Sequence, residues 1–544
     1  MRYLSENKRE DMRMKKRTAA RSMAALMGAA MVLTACGGGN TTAPTTGASS
    51  GGETQTASES AESGKITKTD IVVGQASDIV TLDPAGQQDT TSGVLMKHAY
   101  STLLDVDNEG KVVPDLAESY EMKSDTEYVF KLREDACFWD GTPVTAQDVK
   151  FSLDRAKGMP KTKSNTSKIE EVTVNGDHEV TIKLTEPYAA FKTIVTQHNL
   201  SILSEKAVTE AGDSYGDVDN LLGSGPFKVT EWVPNDHYTL VRNDNYWGEM
   251  PIATSITCRV IPEGSARTIA LEAGEIDVVW SVDPTDCANV ESNPDVKLLS
   301  QPSTGIDYVG MNTQKEKFSD KRVRQAINYA LDKQTFVDTI IEGRGLVANS
   351  YINAAIPGWT DEVEAYPYDP AKAKELLAEA GYPNGFECKI YVNGDVRTRS
   401  AQIIQAQLAE VGITVDISTY EWGALLDSLN AGEHEMFLLG WSNSSFDADG
   451  STYQLFYSGN HGATGNRAFL TDDKVDELII NAQKESDDTK RMEFYKELQV
   501  YLHEISPWCP LYYKNDNVGV RADLKGFKLH KGATHYLGNC HYED

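Results

Sequence analysis

Two hydrophobic periods alternate along this chain, and the switches between them outline its elements. Residues 70–75, "DIVVGQ", form a short apolar run, the pattern of a buried strand. Residues 128–133, "YVFKLR", and 413–417, "ITVDI", alternate apolar and polar, as half-buried strands do. Elsewhere the period lengthens to that of a helix. Ile403, Ile404, Leu408 and Val411 share one side of a helix predicted over 400–411, which Gly412 ends. Leu376, Leu377 and Ala380 share a face of "AKAKELLAEA", opened by Asp369-Pro370 and closed by Gly381. Thr145 precedes "AQDVKFSLDRA", with Asp148 three residues later in the reciprocal capping position. Ser319 is placed to cap a helix whose Val323, Ile327, Ala330 and Leu331 make a core stripe. Helix then strand, repeated without internal repeats or heptads, predicts an α/β body with helix-covered sheets.

The first residues follow neither period. Residues 1–21 carry eight Lys and Arg against three acids, and Ser22–Ala35 carries no charge. A basic stretch, a short apolar stretch and small residues before a break describe an export signal. The uncharged run is 14 residues, short of the about 20 that a spanning helix needs. Leu33-Thr34-Ala35-Cys36 resembles the lipobox of bacterial lipoproteins, in which the chain is cut before the cysteine and its sulfur is lipidated. An ordinary signal peptide with a chance cysteine is the other reading. Residues 37–64 are mostly Gly, Ser, Thr and Ala, the composition of a flexible tether.

Composition then narrows the classes. The chain of 544 residues carries a net charge of -29, and removing the basic leader makes it more acidic. Such a body repels nucleic acid, and the acidity fits solubility outside the cell. A mature chain of this length exceeds one hydrophobic core, so at least two domains are expected. Six cysteines remain beyond Cys36, with no C-x-x-C pair, which argues against a zinc site and leaves bridged or buried free thiols open. No G-x-S-x-G, G-x-x-x-x-G-K-[ST] or H-E-x-x-H occurs. "DVDNEG" (105–110) mimics half a calcium loop, but Leu116 stands where the closing acid belongs, and a solvated turn is the better account. No catalytic residue, cofactor or metal is expected.

Several long stretches resemble the extracellular solute-binding proteins that feed oligopeptide, dipeptide and nickel ABC importers. They are "TLDPA" (81–85), "PDLAESYEMKSDTEYVFKLREDACFWDGTPVTAQDVKFSLDR" (114–155), "GSGPFKVTEWVPNDHYTLVRNDNYWG" (223–248), "FSDKRVRQAINYALDKQTFVDTIIEGRG" (318–345) and "YDPAKAKELLAEAGY" (368–382). The resemblance implies a two-lobed, periplasmic-binding-protein-like α/β fold with two crossings between lobes. On that basis residues 1–35 are the signal, 36–65 the anchor and linker, and 66–303 the first lobe, with a subdomain inserted near 104–220. Residues 304–511 are the second lobe, and 512–544 return to the first. It also implies a monomer without enzyme activity, exported and lipid-anchored to the outer face of the cytoplasmic membrane. Such a protein captures short peptides or peptide-like solutes and delivers them to ABC permease subunits. An oligosaccharide or metal-chelate binder, or a surface-anchored hydrolase, is the alternative.

The resemblance places the ligand against "GWSNSSFDADGS" (440–451) and Gln88-Asp89-Thr90. In the family's peptide binders, an aspartate three residues after the tryptophan pairs with the peptide's amino terminus. Here Trp441 and Asn443 are followed by Ser444, with Asp447 and Asp449 as candidate substitutes. Trp441 also reads as a core residue, and the two acids as turn residues beside Gly450. Arg397, with Arg399 near it, is a candidate carboxylate partner, or an exposed arginine at a helix start.

Overall fold

The computed structural model describes residues 65–544; the expectations for the leader, Cys36 and most of the tether lie outside the described residues. The apolar run at Asp70–Gln75 is a buried strand. The alternating segments are strands Glu127–Leu132 and Thr414–Thr419. Helix Ala146–Lys157 begins in the capping box formed by Thr145 and Asp148, and helix Pro370–Glu379 starts on the Asp369 cap. Two boundaries differ from expectation. Ser319 closes a short helical turn, and Asp320 is the cap of helix Lys321–Ala330, its carboxylate accepting from the Arg322 N–H. Aspartate caps as well as serine, so adjacent candidates compete. The helix expected from residue 400 starts at Asp395, because its first turn, "DVRTRS", is largely polar and carries no apolar stripe.

The principal sheet has eleven strands. In spatial order they are 414–419, 387–392, 436–442, 296–311, 508–521, 278–279, 70–75, 255–260, 237–242 and 227–233, with 345–347 pairing beside 508–521. Apolar residues from the 414–419 end pack into one set of cores, which includes Ile327, Leu377, Ile390, Leu438 and Trp508. Those from the 227–233 end pack into another, which includes Val73, Leu95, Phe227, Ile256 and Val520. A separate four-stranded antiparallel sheet, 117–124, 127–132, 179–184 and 169–176, has its own core around Phe130, Val149 and Phe191. These are two lobes and an inserted subdomain.

Among the described residues, only strands Val296–Met311 and Trp508–Arg521 run through both lobes. They pair antiparallel, but the ladder breaks between Pro302 and Ile306, where three residues face the single Lys514. Ser303 fills the gap: its hydroxyl donates to the Lys514 carbonyl at 2.8 Å and accepts from the Gly305 N–H at 3.0 Å. The six described cysteines are free, and all but Cys137 are buried. Cores of this size hold the fold without bridges.

Candidate functional site

A cavity of about 360 Å³ lies between the lobes, beside the break in the ladder. It gathers seven of the nine sequence-derived ligand candidates: Gln88, Asp89, Thr90, Arg397, Trp441, Asn443 and Ser444. Asp447 and Asp449 lie outside its wall.

Asp89 ends the loop after "TLDPA" and caps helix Thr90–Ala99, its Oδ1 accepting from the Ser92 N–H at 2.9 Å. Its Oδ2 is shielded and has no partner. Burial pushes this carboxyl above the ordinary carboxylate range, against the lowering effect of the Ser92 bonds. Gln88 reaches the other lobe, where its Nε2 donates to the Thr464 carbonyl at 3.4 Å.

From the second lobe, strand Met436–Ser442 pairs antiparallel with 296–311 and sets Trp441 opposite Ile306. Gly440 precedes it because Asp307 crowds that position: a Cβ would meet the carboxylate at 3.1 Å. Trp441, Trp422 and Trp280 all line the cavity, and each has a buried indole N–H without a partner. They offer apolar faces and donors together.

The loop after the strand is organised by Asn443. Its amide donates to the Asp447 carbonyl and to Ser451 Oγ, both at 2.7 Å, and accepts from Ser445. Asn443 therefore borders the cavity with its side chain committed to the loop. The Ser444 hydroxyl donates to Gln197 Oε1 across the cleft at 3.1 Å.

The two downstream acids bond away from the cavity. Asp447 caps helix Ala448–Phe456 and takes a bidentate pair from buried Arg491, at 2.5 and 2.9 Å. Asp449 accepts from the Tyr188 hydroxyl at 2.5 Å and from Gln483 Nε2 at 2.8 Å. Burial, with nearby Asp447, pushes Asp449 up to about 6. Both acids bond to partners behind the wall, so neither carboxylate faces the cavity in this structure.

Arg397 lines the cavity and donates to Asn393 at 2.8 Å, with Asp307 3.7 Å away. Asp307 is buried and also pairs with Lys514 at 2.9 Å. Arg399 instead bonds Asp283 of the first lobe, at 2.8 and 3.1 Å. Burial raises the Asp283 carboxyl, but the Arg399 and Thr285 bonds together outweigh it, and Asp283 lies below the ordinary range.

Pattern reasoning missed other wall residues: Arg467, Lys514 and the buried pair of Asp516 with His535 Nε2, 2.9 Å apart. Arg467 sits in the turn-rich "GNRAF" and Lys514 in a strand, so no helical face or motif marks either one. Burial pushes His198 down to about 3 and His530 to about 4, so both imidazoles are neutral near pH 7. The wall thus offers both signs of charge, unpartnered donors and acceptors, and indole surface, an arrangement suited to holding a small polar solute.

The sequence matches the model of bacterial extracellular solute-binding proteins, family 5 (middle), over residues 111–463. This chain belongs to that family. It is 32% identical over 477 residues to the glutathione-binding protein GsiB of Escherichia coli O157:H7, covering 84% of this chain and 91% of that one. Its fold matches the periplasmic binding protein DppA from Helicobacter pylori, solved with the peptide STSA, with a TM-score of 0.82 at 29% identity. That match covers 86% of this chain and 98% of DppA. The oligopeptide-binding protein AppA from Bacillus subtilis, solved with a nonapeptide, gives a TM-score of 0.81 at 26% identity, over 88% of this chain and all of AppA. The solute-binding protein described here is accordingly a two-lobed extracellular binder. Among its described residues no helix is long and apolar enough to cross a membrane.

Proposed function

We propose that this solute-binding protein is the membrane-tethered capture component of an ABC importer, taking short peptides or peptide-like solutes into its interlobe cavity. The carrying observation is that wall, with the unpartnered Asp89 Oδ2 on one lobe and Trp441 and the Arg397 and Arg467 guanidinium groups on the other. Free peptides are zwitterions with apolar side chains, and such a wall meets each part. The peptide- and glutathione-binding relatives support the same reading. At about 360 Å³ the cavity lies at the lower end of small-molecule sites, which favours short ligands. Cys36, beyond the described residues, would carry the lipid, with the residues after it as tether. The permease would receive the closed form, and the protein itself would leave the solute chemically unchanged.

The test is thermal melting of the mature chain against short peptides, glutathione, oligosaccharides and nickel–histidine chelates. Small-angle scattering and recovery of the ligand follow for any stabiliser. Peptides or glutathione should raise the melting temperature, reduce the radius of gyration and be recovered intact. Stabilisation by a sugar or chelate alone would overturn the peptide reading, and a cleaved product would overturn binding without chemistry. Cys36→Ala should release the protein from the membrane fraction; a variant still bound there would overturn the anchor.

A further inference from the structure

A peptide amine enclosed in this cavity needs an anion, because an unpaired buried charge costs several kcal/mol. Ser444 is neutral, and its hydroxyl is turned to Gln197. Asp447 and Asp449 are held by Arg491, Tyr188 and Gln483. Asp516 is matched to His535. Of the two acids on the wall, each has a shielded Oδ2 without a hydrogen bond, but Asp516 has the His535 imidazole 2.9 Å away, whereas Asp89 has no basic side chain within ion-pair distance among the described residues.

Arg467 poses the complementary problem. It is only 7% exposed, and its Nε donates to Asn430 Oδ1 at 3.1 Å. Among the described residues no carboxylate lies within ion-pair distance of it. The Gln88–Thr464 bond draws the segment carrying Asp89 against the one carrying Arg467. The two side chains line the same cavity from opposite lobes, and no ion pair joins them directly.

On the reading that the solute is peptide-like, we propose that Asp89 and Arg467 together receive an α-amino-acid head, an ammonium and a carboxylate on one carbon. A free amino acid or a γ-glutamyl compound has such a head. The first residue of an ordinary α-linked peptide does not, because its carboxyl carbon has become a neutral amide. An α-linked chain would satisfy Asp89 and leave Arg467 a buried cation without an anion. The amino-acid head satisfies both, and the planar guanidinium suits a bidentate carboxylate. Asp89 also favours the charged form of Arg467 through space, opposing the effect of burial. A ligand held this way ties the lobes together by two opposite charges, one on each. Arg397 and Lys514, which share Asp307, keep one positive charge in excess for a second carboxylate further along the ligand.

Calorimetric titration of the mature chain with γ-glutamylglycine and its isomer α-glutamylglycine decides the matter, since the two share composition and charge. The γ isomer should bind more tightly by about tenfold or more, the scale of a lost bond to a charged group. Asp89→Asn keeps an N-cap residue, and Arg467→Gln removes the cation. Each should weaken the γ isomer and erase the preference, with the unliganded melting temperature of Asp89→Asn unchanged. Equal binding, an α preference, or a preference that survives in both variants overturns the proposal. If neither isomer binds while a sugar or chelate does, the peptide reading falls and this proposal falls with it. Should Arg467→Gln fail to fold, the wild-type comparison and Asp89→Asn still decide.

Discussion

Trp441 and Asp447 sit in one short stretch and do different work. Trp441 lines the cavity and also packs against the second-lobe core, whereas Asp447 neutralises an arginine that is 6% exposed. Asp447→Ala leaves that cation buried and should cost about 3–5 kcal/mol of stability, read by urea denaturation, with little change in ligand affinity. Trp441→Ala should do the reverse, weakening binding by about 1–3 kcal/mol, the scale of an interface anchor, while urea stability changes less. A stability loss in the tryptophan variant alone would place it in the core. This division was hidden in "WSNSSFDADG", because acids before a helix look alike until their partners are known. Arg491 lies 44 residues further along the chain, on another helix.

At the scale of elements, local signals carried furthest where they were self-contained. The capping box at Thr145 and the proline start at Pro370 depend on residues within one turn, and both stand where the pattern puts them. Contacts between elements had no local signature. The turn at Tyr188 meets helix Ala448–Phe456 and the end of helix Asp473–Lys484, through the Tyr188–Asp449 bond, the Gln483 carbonyl and an ion pair of Lys484 with Glu186. Asp449 is buried inside this clasp between the inserted subdomain and the second lobe. Its carboxyl rises from 3.8 to about 6, so the folded protein holds this proton more tightly than the unfolded chain. The resulting stability is fully present below the ordinary carboxylate range and is lost as pH rises through about 6. Asp449→Asn lacks this titration. The wild-type stability relative to that variant should fall between about pH 4 and 7 and then level off; a flat difference across that range would remove Asp449 as the titrating group.

For the whole molecule, the two-lobed plan was legible through motifs that are mostly turns and caps. The chemistry of the wall was legible only in part, since Arg467, Lys514 and Asp516 converge by topology. The broken ladder at 303–305 has a mechanical consequence. Two joined strands with a short interruption form a flexure, compliant in bending and stiff against shear and twist. The rest of each lobe is anchored in its own core, so compliance concentrates where Ser303 replaces ladder bonds. The lobes should then swing along a single arc, and solutes of different size should halt them at different angles on it. Fluorescent pairs placed at several positions across the lobes should report distances that all follow one coordinate; independent distances would mean that the joint has more than one axis.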